Sequence, residues 1–363
     1  MDDAGPTTIA ATIAGEIRRS GPMRFDRYME IALYASGGYY DDPPVGAGSA
    51  GDFVTSPHVH TIFAQLVAEA IRELAEAMGR PDPFDLIEVG AGDGTLLRAI
   101  EPHLADLDTR LVAVERSPGA RAALEHHGAF DVRESLPEAT SPGVVLAHEL
   151  LDNLPFRRLR ATNEGPREVR VGIDGRRFVE VLAPVDDGLE PPRETEPGSE
   201  AVVPTSAMSF VVDALAGPAP RALLAIDYGS DRGAGGAAHG YASHRVVEDL
   251  LAAPGTTDIT AGVDFGAVAG AARARGFQAF PTVSQHDALI ALGLEAWLHT
   301  ELERQRDLLD TGRGGGAVRA WGGRSRATML ADPSGLGRFR WFLATTPGMS
   351  EPAWLRRASA AEP

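Results

Sequence analysis

Two short apolar runs on either side of a glycine-rich turn constrain this chain more than any other feature. Phe84-Asp85-Leu86-Ile87-Glu88-Val89 stops at Gly90-Ala91-Gly92-Asp93-Gly94, and Arg110-Leu111-Val112-Ala113-Val114 stops at Glu115, 21 residues after Gly94. Strand, glycine turn, helix, strand, acid is half of a nucleotide-binding α/β unit, built on a parallel sheet. The glycines are spaced G-x-G-x-G rather than the dinucleotide G-x-G-x-x-G, and an acid stands two residues before the first of them.

A dinucleotide rests its anionic pyrophosphate on a helix N-terminus, and Glu88 would repel it there. The acid suits a ligand carrying an ammonium or sulfonium group. S-adenosylmethionine (SAM) has both, lacks phosphate, and offers two ribose hydroxyls that need an acceptor. On this reading Gly90, Gly92 and Gly94 let backbone approach the methionine half, with Asp93 in the same cofactor-binding turn. Glu88 serves the cationic end, Glu115 accepts the ribose hydroxyls, and Arg116, His148 and Glu149 are further cofactor-binding candidates. An ordinary tight turn explains the glycines but not the two acids.

Composition excludes several chemistries. The 363 residues hold no cysteine, and all 34 basic residues are arginine. Thiolate metal sites, cysteine nucleophiles and cluster-dependent radical chemistry are therefore absent, as are a P-loop lysine and a pyridoxal-phosphate Schiff base. Net charge is −17, and the short clusters Arg157-Arg158 with Arg160 and Arg176-Arg177 make no basic face, so nucleic acid is disfavoured. No apolar run approaches the ~20 residues of a membrane span, and Met1-Asp2-Asp3 begins no signal peptide, so a cytoplasmic location is expected. His58-x-His60 and His126-His127 lack convergent acids, and no metal site is read.

Along the chain, helices are expected over 7–36 and then from an N-cap at Ser56 with Pro57 to about Met78. A sheet core follows with strands at 84–89, 110–115, 130–133, 143–148 and 221–226. Residues 157–203 interrupt it with a hairpin turning at Asp174-Gly175. The stretch 229–240 reads equally as a mobile loop over the ligand edge or a plain linker. The remainder reads as mostly helical (245–253, 264–275, 284–310, 316–331), with strands near 277–281 and 339–345. The organisation is thus an N-terminal helical segment with a cofactor-closing loop (1–80), a core (81–230), a helical acceptor-side region (231–345) and a tail (346–363).

The second informative stretch is Val144 to Phe156, an apolar strand that runs into His148-Glu149, then Asp152-Asn153-Leu154-Pro155. Ligands of open α/β sheets bind at the carboxyl ends of strands. Methyl transfer is an in-line displacement in which alignment and exclusion of water do most of the work. A nitrogen acceptor is aligned by groups that hold its N–H protons. For a guanidinium, always protonated and delocalised, a pair of carboxylates can grip the fork; Glu149 and Asp152 are that candidate pair. The alternative is a helix cap at Asp152 and a satisfied buried Glu149. His148 reads as a packed residue in preference to a base.

These segments resemble the MidA-like methyltransferases, relatives of the mitochondrial complex I assembly-factor arginine methyltransferase, over about residues 22–345. The resemblance rests on Gly37-Gly38-Tyr39-Tyr40, Gly51-Asp52-Phe53-Val54-Thr55-Ser56-Pro57, Glu88 to Gly94, His148 to Pro155, Asp227-Tyr228-Gly229, Asp258 to Phe265, and Gln285 with Leu289 and Gly293. It implies a class I SAM-dependent methyltransferase: α/β, Rossmann-like, with a mostly parallel seven-stranded sheet, N-terminal helices and an added, largely helical subdomain. It further implies that Gly51, Asp52 and Thr55 close over the cofactor and that Glu149 and Asp152 face the target, with Asp227 and Tyr228 nearby. Asp258, Thr260, Asp264 and Gln285 would line or brace the acceptor side. His58 departs from the family's usual glutamate, Ala64 from its glycine, Asn153 from its alanine, and Gly262 from a residue that is often histidine. Asn153-Leu154-Pro155-Phe156 is also similar to the motif of ribosomal-RNA adenine dimethylases, in which the Asn would hold an amino group and the ring would stack on a base. The acceptor expected is a protein or peptide arginine. A small-molecule or peptide acceptor, or a SAM-binding assembly role with little catalysis, stays open, as does a homodimer.

Overall fold

A computed structural model describes residues 8–41, 55–128, 130–186, 189, 196–231, 235–242 and 245–361. The central sheet runs, edge to edge, Gln278–Ala279, Arg340–Thr345, Arg221–Asp227, Gly143–His148, Phe84–Val89, Thr109–Val114 and Asp131–Arg133, with Val283–Ser284 sharing the Arg340–Thr345 neighbour. The five strands from Arg221–Asp227 to Asp131–Arg133 are mutually parallel, and Arg340–Thr345 is antiparallel to its neighbours. The chain steps outward from Phe84–Val89 to one side and then, from Gly143 on, to the other. A crevice therefore opens at the carboxyl ends of Phe84–Val89 and Gly143–His148.

The inner strands read as continuous apolar runs because both faces are covered. Leu86, Val144, Leu146, Leu224 and Ile226 face the helices Ile62–Ala77 and Thr95–Ile100. Their period-two partners Ile87, Val145, Ala147, Leu223 and Ala225 face Thr205–Leu215 and Phe265–Ala274. The C-terminal stretch, expected as a tail, carries the helix Ala353–Ala361, whose Trp354 is fully buried with its ring edge-on to Trp341, 5.6 Å between centroids.

The 157–203 interruption is larger than a hairpin. Gly165–Asp174 and Arg177–Ala183 pair through Asp174↔Arg177, and Arg157–Thr162, Glu200–Val203 and Met23–Arg24 extend them into a five-stranded antiparallel sheet. Arg157 pairs with Glu168, and Arg158 and Arg160 with Glu180 and Glu200, which accounts for this basic cluster as internal ion pairing.

Three expectations fail locally. The helix from position 56 breaks after Ser56–Val59 because His60 is extended (φ −161°, ψ 139°); its Nδ1 accepts the Ile62 N–H at 3.1 Å and so starts Ile62–Ala77 afresh. Thr55, not Ser56, occupies the cap position. The 284–310 helix divides into Gln285–Ala291 and Leu294–Asp310 at Gly293, whose φ of 109° suits glycine. The 245–253 helix is absent: Arg245–Val247 is a strand, followed by turns. It pairs with Gly235–Ala242, which in turn pairs with Asp258–Asp264. The described part of the 229–240 loop is thus largely sheet. Propensity alone did not reveal a pairing whose partner lies some twenty residues away.

Candidate active site

The glycine turn is built by backbone conformation. Gly90, Gly92 and Gly94 have φ of 73°, 54° and 70°. The Gly90 and Ala91 N–H groups donate to the Val114 carbonyl at 2.9 and 3.2 Å, locking the turn to the next strand. Glu115 braces it from the end of that strand: Oε2 accepts the Gly92 N–H at 3.0 Å and Oε1 the Ser117 N–H at 2.9 Å. Each carboxylate oxygen keeps a further lone pair for a ligand hydroxyl. Asp93 accepts the Thr95 N–H at 2.9 Å and lies 3.4 Å from His58 Nε2, while His58 Nδ1 is 2.8 Å from Thr55 Oγ1. Burial works to raise the Asp93 pKa, but the hydrogen bonds of Thr95 and the His58 contact outweigh it, leaving the group below its ordinary value.

Glu88 is 4% exposed and its Oε2 has no hydrogen-bond partner among the described residues. Burial, reinforced by Asp93 and Glu115, pushes its pKa up to about 8. Such an acid awaits a positive ligand group. Arg116, by contrast, is turned to the N-terminal helices: it pairs with Glu30 and lies over the Tyr34 ring at 4.5 Å. Gly51 and Asp52 fall outside the described residues.

The end of Gly143–His148 carries the acid cluster. Glu149 sits at φ 51°, rare for a side-chain-bearing residue, and its N–H donates to the Ile226 carbonyl at 2.9 Å. Burial and then Asp152 push its carboxyl up to about 8, against a hydrogen bond from the Ser56 backbone. Desolvation drives the His148 pKa down to about 3, so the imidazole is neutral; it lies edge-on to Phe63 at 5.3 Å. Its Nε2 approaches Glu149 Oε1 to 3.3 Å without hydrogen-bond geometry. Desolvation of its carboxyl and then Asp227 raise the Asp152 pKa well above the ordinary value. Thr260 donates to Asp152 Oδ2 at 2.7 Å, and Tyr228 Oη is 2.8 Å from the same Thr260 hydroxyl. With one proton on each hydroxyl, an ionised Asp152 fixes the order Tyr228 to Thr260 to Asp152.

Asp227 plays a different part. Its Oδ2 accepts the N–H groups of Leu151 and Asp152 at 2.8 and 3.3 Å and its Oδ1 that of Tyr228 at 2.8 Å. It therefore holds the turn that presents Asp152. Burial, then Glu149, pushes it up to about 7. The Asn153 side-chain amide donates to Asp258 Oδ1 at 2.8 Å, which also accepts the Tyr40 hydroxyl at 2.7 Å, and the Asn153 carbonyl accepts Tyr34 Oη at 2.9 Å. Phe156 is 2% exposed and stacks on Phe25, so it is unavailable to a base and the adenine-dimethylase likeness ends at the sequence. Gln285, fully buried, bonds Ser56 Oγ and the Leu330 carbonyl and accepts from Trp341 Nε1, and Asp264 caps Phe265–Ala274 through the Ala267 N–H. Both are braces.

The structure thus brings together Glu88, the glycine turn and Glu115 on one side and Glu149, Asp152, Asp227 and Tyr228 on the other. Four buried atoms there, Glu88 Oε2, His148 Nε2, Glu149 Oε1 and Asp152 Oδ1, have no hydrogen-bond partner among the described residues. Such orphans are costly without a ligand, and three are acidic, which fits a sulfonium–ammonium cofactor and a cationic acceptor. Phe63 and Tyr34 escaped the sequence reading because their helical spacing marks them only as core. No described group of three or more His, Asp or Glu residues could hold a metal ion, and no described helix is long and apolar enough to cross a membrane.

Comparison with known proteins decides the family. Residues 66–283, more than half of the chain, match the family model described as "Putative S-adenosyl-L-methionine-dependent methyltransferase". The chain belongs to this methyltransferase family. It is 29% identical to the mitochondrial protein arginine methyltransferase NDUFAF7 of Mus musculus, covering 92% of this chain and 83% of the relative. Identity to the Drosophila melanogaster homologue is 28%, covering 96% and 86%. A Burkholderia thailandensis protein solved with bound S-adenosyl-homocysteine superposes with a TM-score of 0.76 at 26% identity, covering 97% of this chain and 94% of that one. The enzyme is a SAM-dependent methyltransferase of the expected α/β class.

Proposed function

We propose that this methyltransferase acts on a nitrogen of an arginine side chain in a protein. The observation that carries the reading is the pair of half-buried carboxylates, Glu149 and Asp152, each with one buried oxygen lacking a hydrogen-bond partner among the described residues, at the carboxyl end of the strand beside the glycine turn. The relatives named protein arginine methyltransferases support it.

The bound cofactor supplies an electrophilic methyl group; the side chains do the rest. Glu149 Oε1 and Asp152 Oδ1 would accept N–H protons of the guanidinium and hold its plane. Asp227 keeps the Leu151–Asp152 turn in place, and Thr260 fixes the other Asp152 oxygen. Neutral His148 against Phe63 keeps that wall apolar. The attacking nitrogen gains a carbon and must lose a proton. A carboxyl whose pKa is lifted to about 8 is matched to receive it near neutral pH.

Incubation of the enzyme with labelled SAM and a protein extract, followed by complete hydrolysis, tests the reading. Label in methylated arginine supports it. Label confined to low-molecular-weight products would assign the site to a small acceptor.

A further inference from the structure

Outside the methyl-transfer site, the helices Leu294–Asp310 and Gly314–Leu330 enclose a cleft of about 870 Å³ with residues 60 and 61. That is within the size range of ligand-binding clefts. Arg304, Arg313, Arg319 and Arg326 line it, against a single acid, Glu301. In a chain of net charge −17 this is a local reversal of sign.

The arginines are also unengaged. Arg304 reaches Glu301 at 3.2 Å, but the side chains of Arg313, Arg319 and Arg326 make no hydrogen bond or ion pair with any described residue. The arginine cluster at 157–160, by contrast, is consumed by internal pairing. Glycines shape the cleft. A Cβ at Gly316 would meet the Leu308 side chain at 3.3 Å, a tight contact, so this glycine eases the approach of the two helices; one at Gly323 would sit in ordinary contact with His60 Nε2 at 3.5 Å. Trp297 stands edge-on to His60 at 5.0 Å and gives the cleft an apolar wall.

The cleft adjoins the catalytic side through one short segment. Ser56 offers its backbone N–H to Glu149, His58 approaches Asp93, and His60 lines the cleft. We infer that the cleft docks an acidic stretch of the protein acceptor, beside the segment that bridges the cofactor turn and the acid cluster. The acceptor's being a protein rests on the function proposed above. Glu303, Asp307 and Asp310 share the helix Leu294–Asp310 but do not line the cleft, and charges beyond a Debye length of about 8 Å are largely screened at physiological salt, whereas the four arginines line the cleft itself.

Titration of the whole protein with a hexaglutamate peptide tests the inference, followed by imidazole NMR of His60 and by tryptophan fluorescence in a Trp321→Phe background, in which Trp297 lines the cleft and the other two tryptophans, Trp341 and Trp354, are fully buried. Burial and then Arg326 hold the His60 pKa below its ordinary value, so an anion placed beside Arg326 moves that titration upward. The expected result is saturable binding that weakens with added salt, shifts His60, and falls roughly tenfold or more in Arg313→Glu with Arg319→Glu. SAM affinity should not change. Absence of binding, or binding indifferent to the double reversal, overturns the inference. Equal affinity for inorganic pyrophosphate overturns it in favour of a small-anion site. The measurement needs no methyl transfer: peptide binding with label found only in small molecules would leave an acidic docking site standing while removing arginine as the acceptor.

Discussion

At the scale of single residues, the site is a set of acids held against their solvation. Glu149 has its carboxyl raised from 4.5 to about 8 by burial and by Asp152. Its contribution to stability is therefore fully present below about pH 4.5 and lost as pH rises through 8. Glu149→Gln should raise the thermal midpoint at pH 9 and leave it nearly unchanged at pH 4, by calorimetry. Activity runs the other way: kcat/KM should climb from pH 6 to pH 8 as Glu149 ionises, and a profile falling over that range would contradict its role as proton acceptor. The Thr260 hydroxyl offers a finer test, because it fixes one Asp152 oxygen and leaves the other open. Thr260→Val should lower kcat by about 10–100-fold with SAM affinity intact, and Thr260→Ser should restore most of it.

At the scale of elements, the strand–turn–strand unit was legible because it is local. Two apolar runs, three glycines and two acids fix it without any distant partner. Gly90→Ala forces a left-handed residue and brings a Cβ to 3.0 Å from Leu150 Cδ1, beside Glu149. About 1–2 kcal/mol of strain should appear as a lower thermal midpoint and a SAM affinity reduced by about tenfold. The engagement of Asp227 with three backbone amides is a tertiary fact that spacing does not carry. Arg116 follows Glu115 in sequence, and its pairing with Glu30 of the N-terminal helix is another contact that spacing does not carry. The strand pairing of Gly235–Ala242 was hidden for a related reason: a glycine-rich stretch has no side-chain alternation to read, and only Asp258–Asp264 supplies its partner.

At the scale of the whole molecule, the carboxyl edge of the sheet gathers the cofactor turn, the acid cluster and the bridging segment 55–60, and the C-terminal helix closes the opposite core. Trp354 packs on Trp341 within the same apolar cluster as the helix Ile62–Ala77. Trp354→Ala should cost about 3–5 kcal/mol in urea unfolding, which a detachable tail would not. The central claim is that one set of acids binds the methyl donor while another orients an arginine. Its most direct measurement is a single-turnover assay with a protein acceptor, comparing wild type with Glu149→Gln, both saturated with SAM as verified by calorimetry. Equal SAM binding with methylarginine formation reduced by about 10²-fold or more is the predicted result. Undiminished methylarginine formation by Glu149→Gln would contradict it.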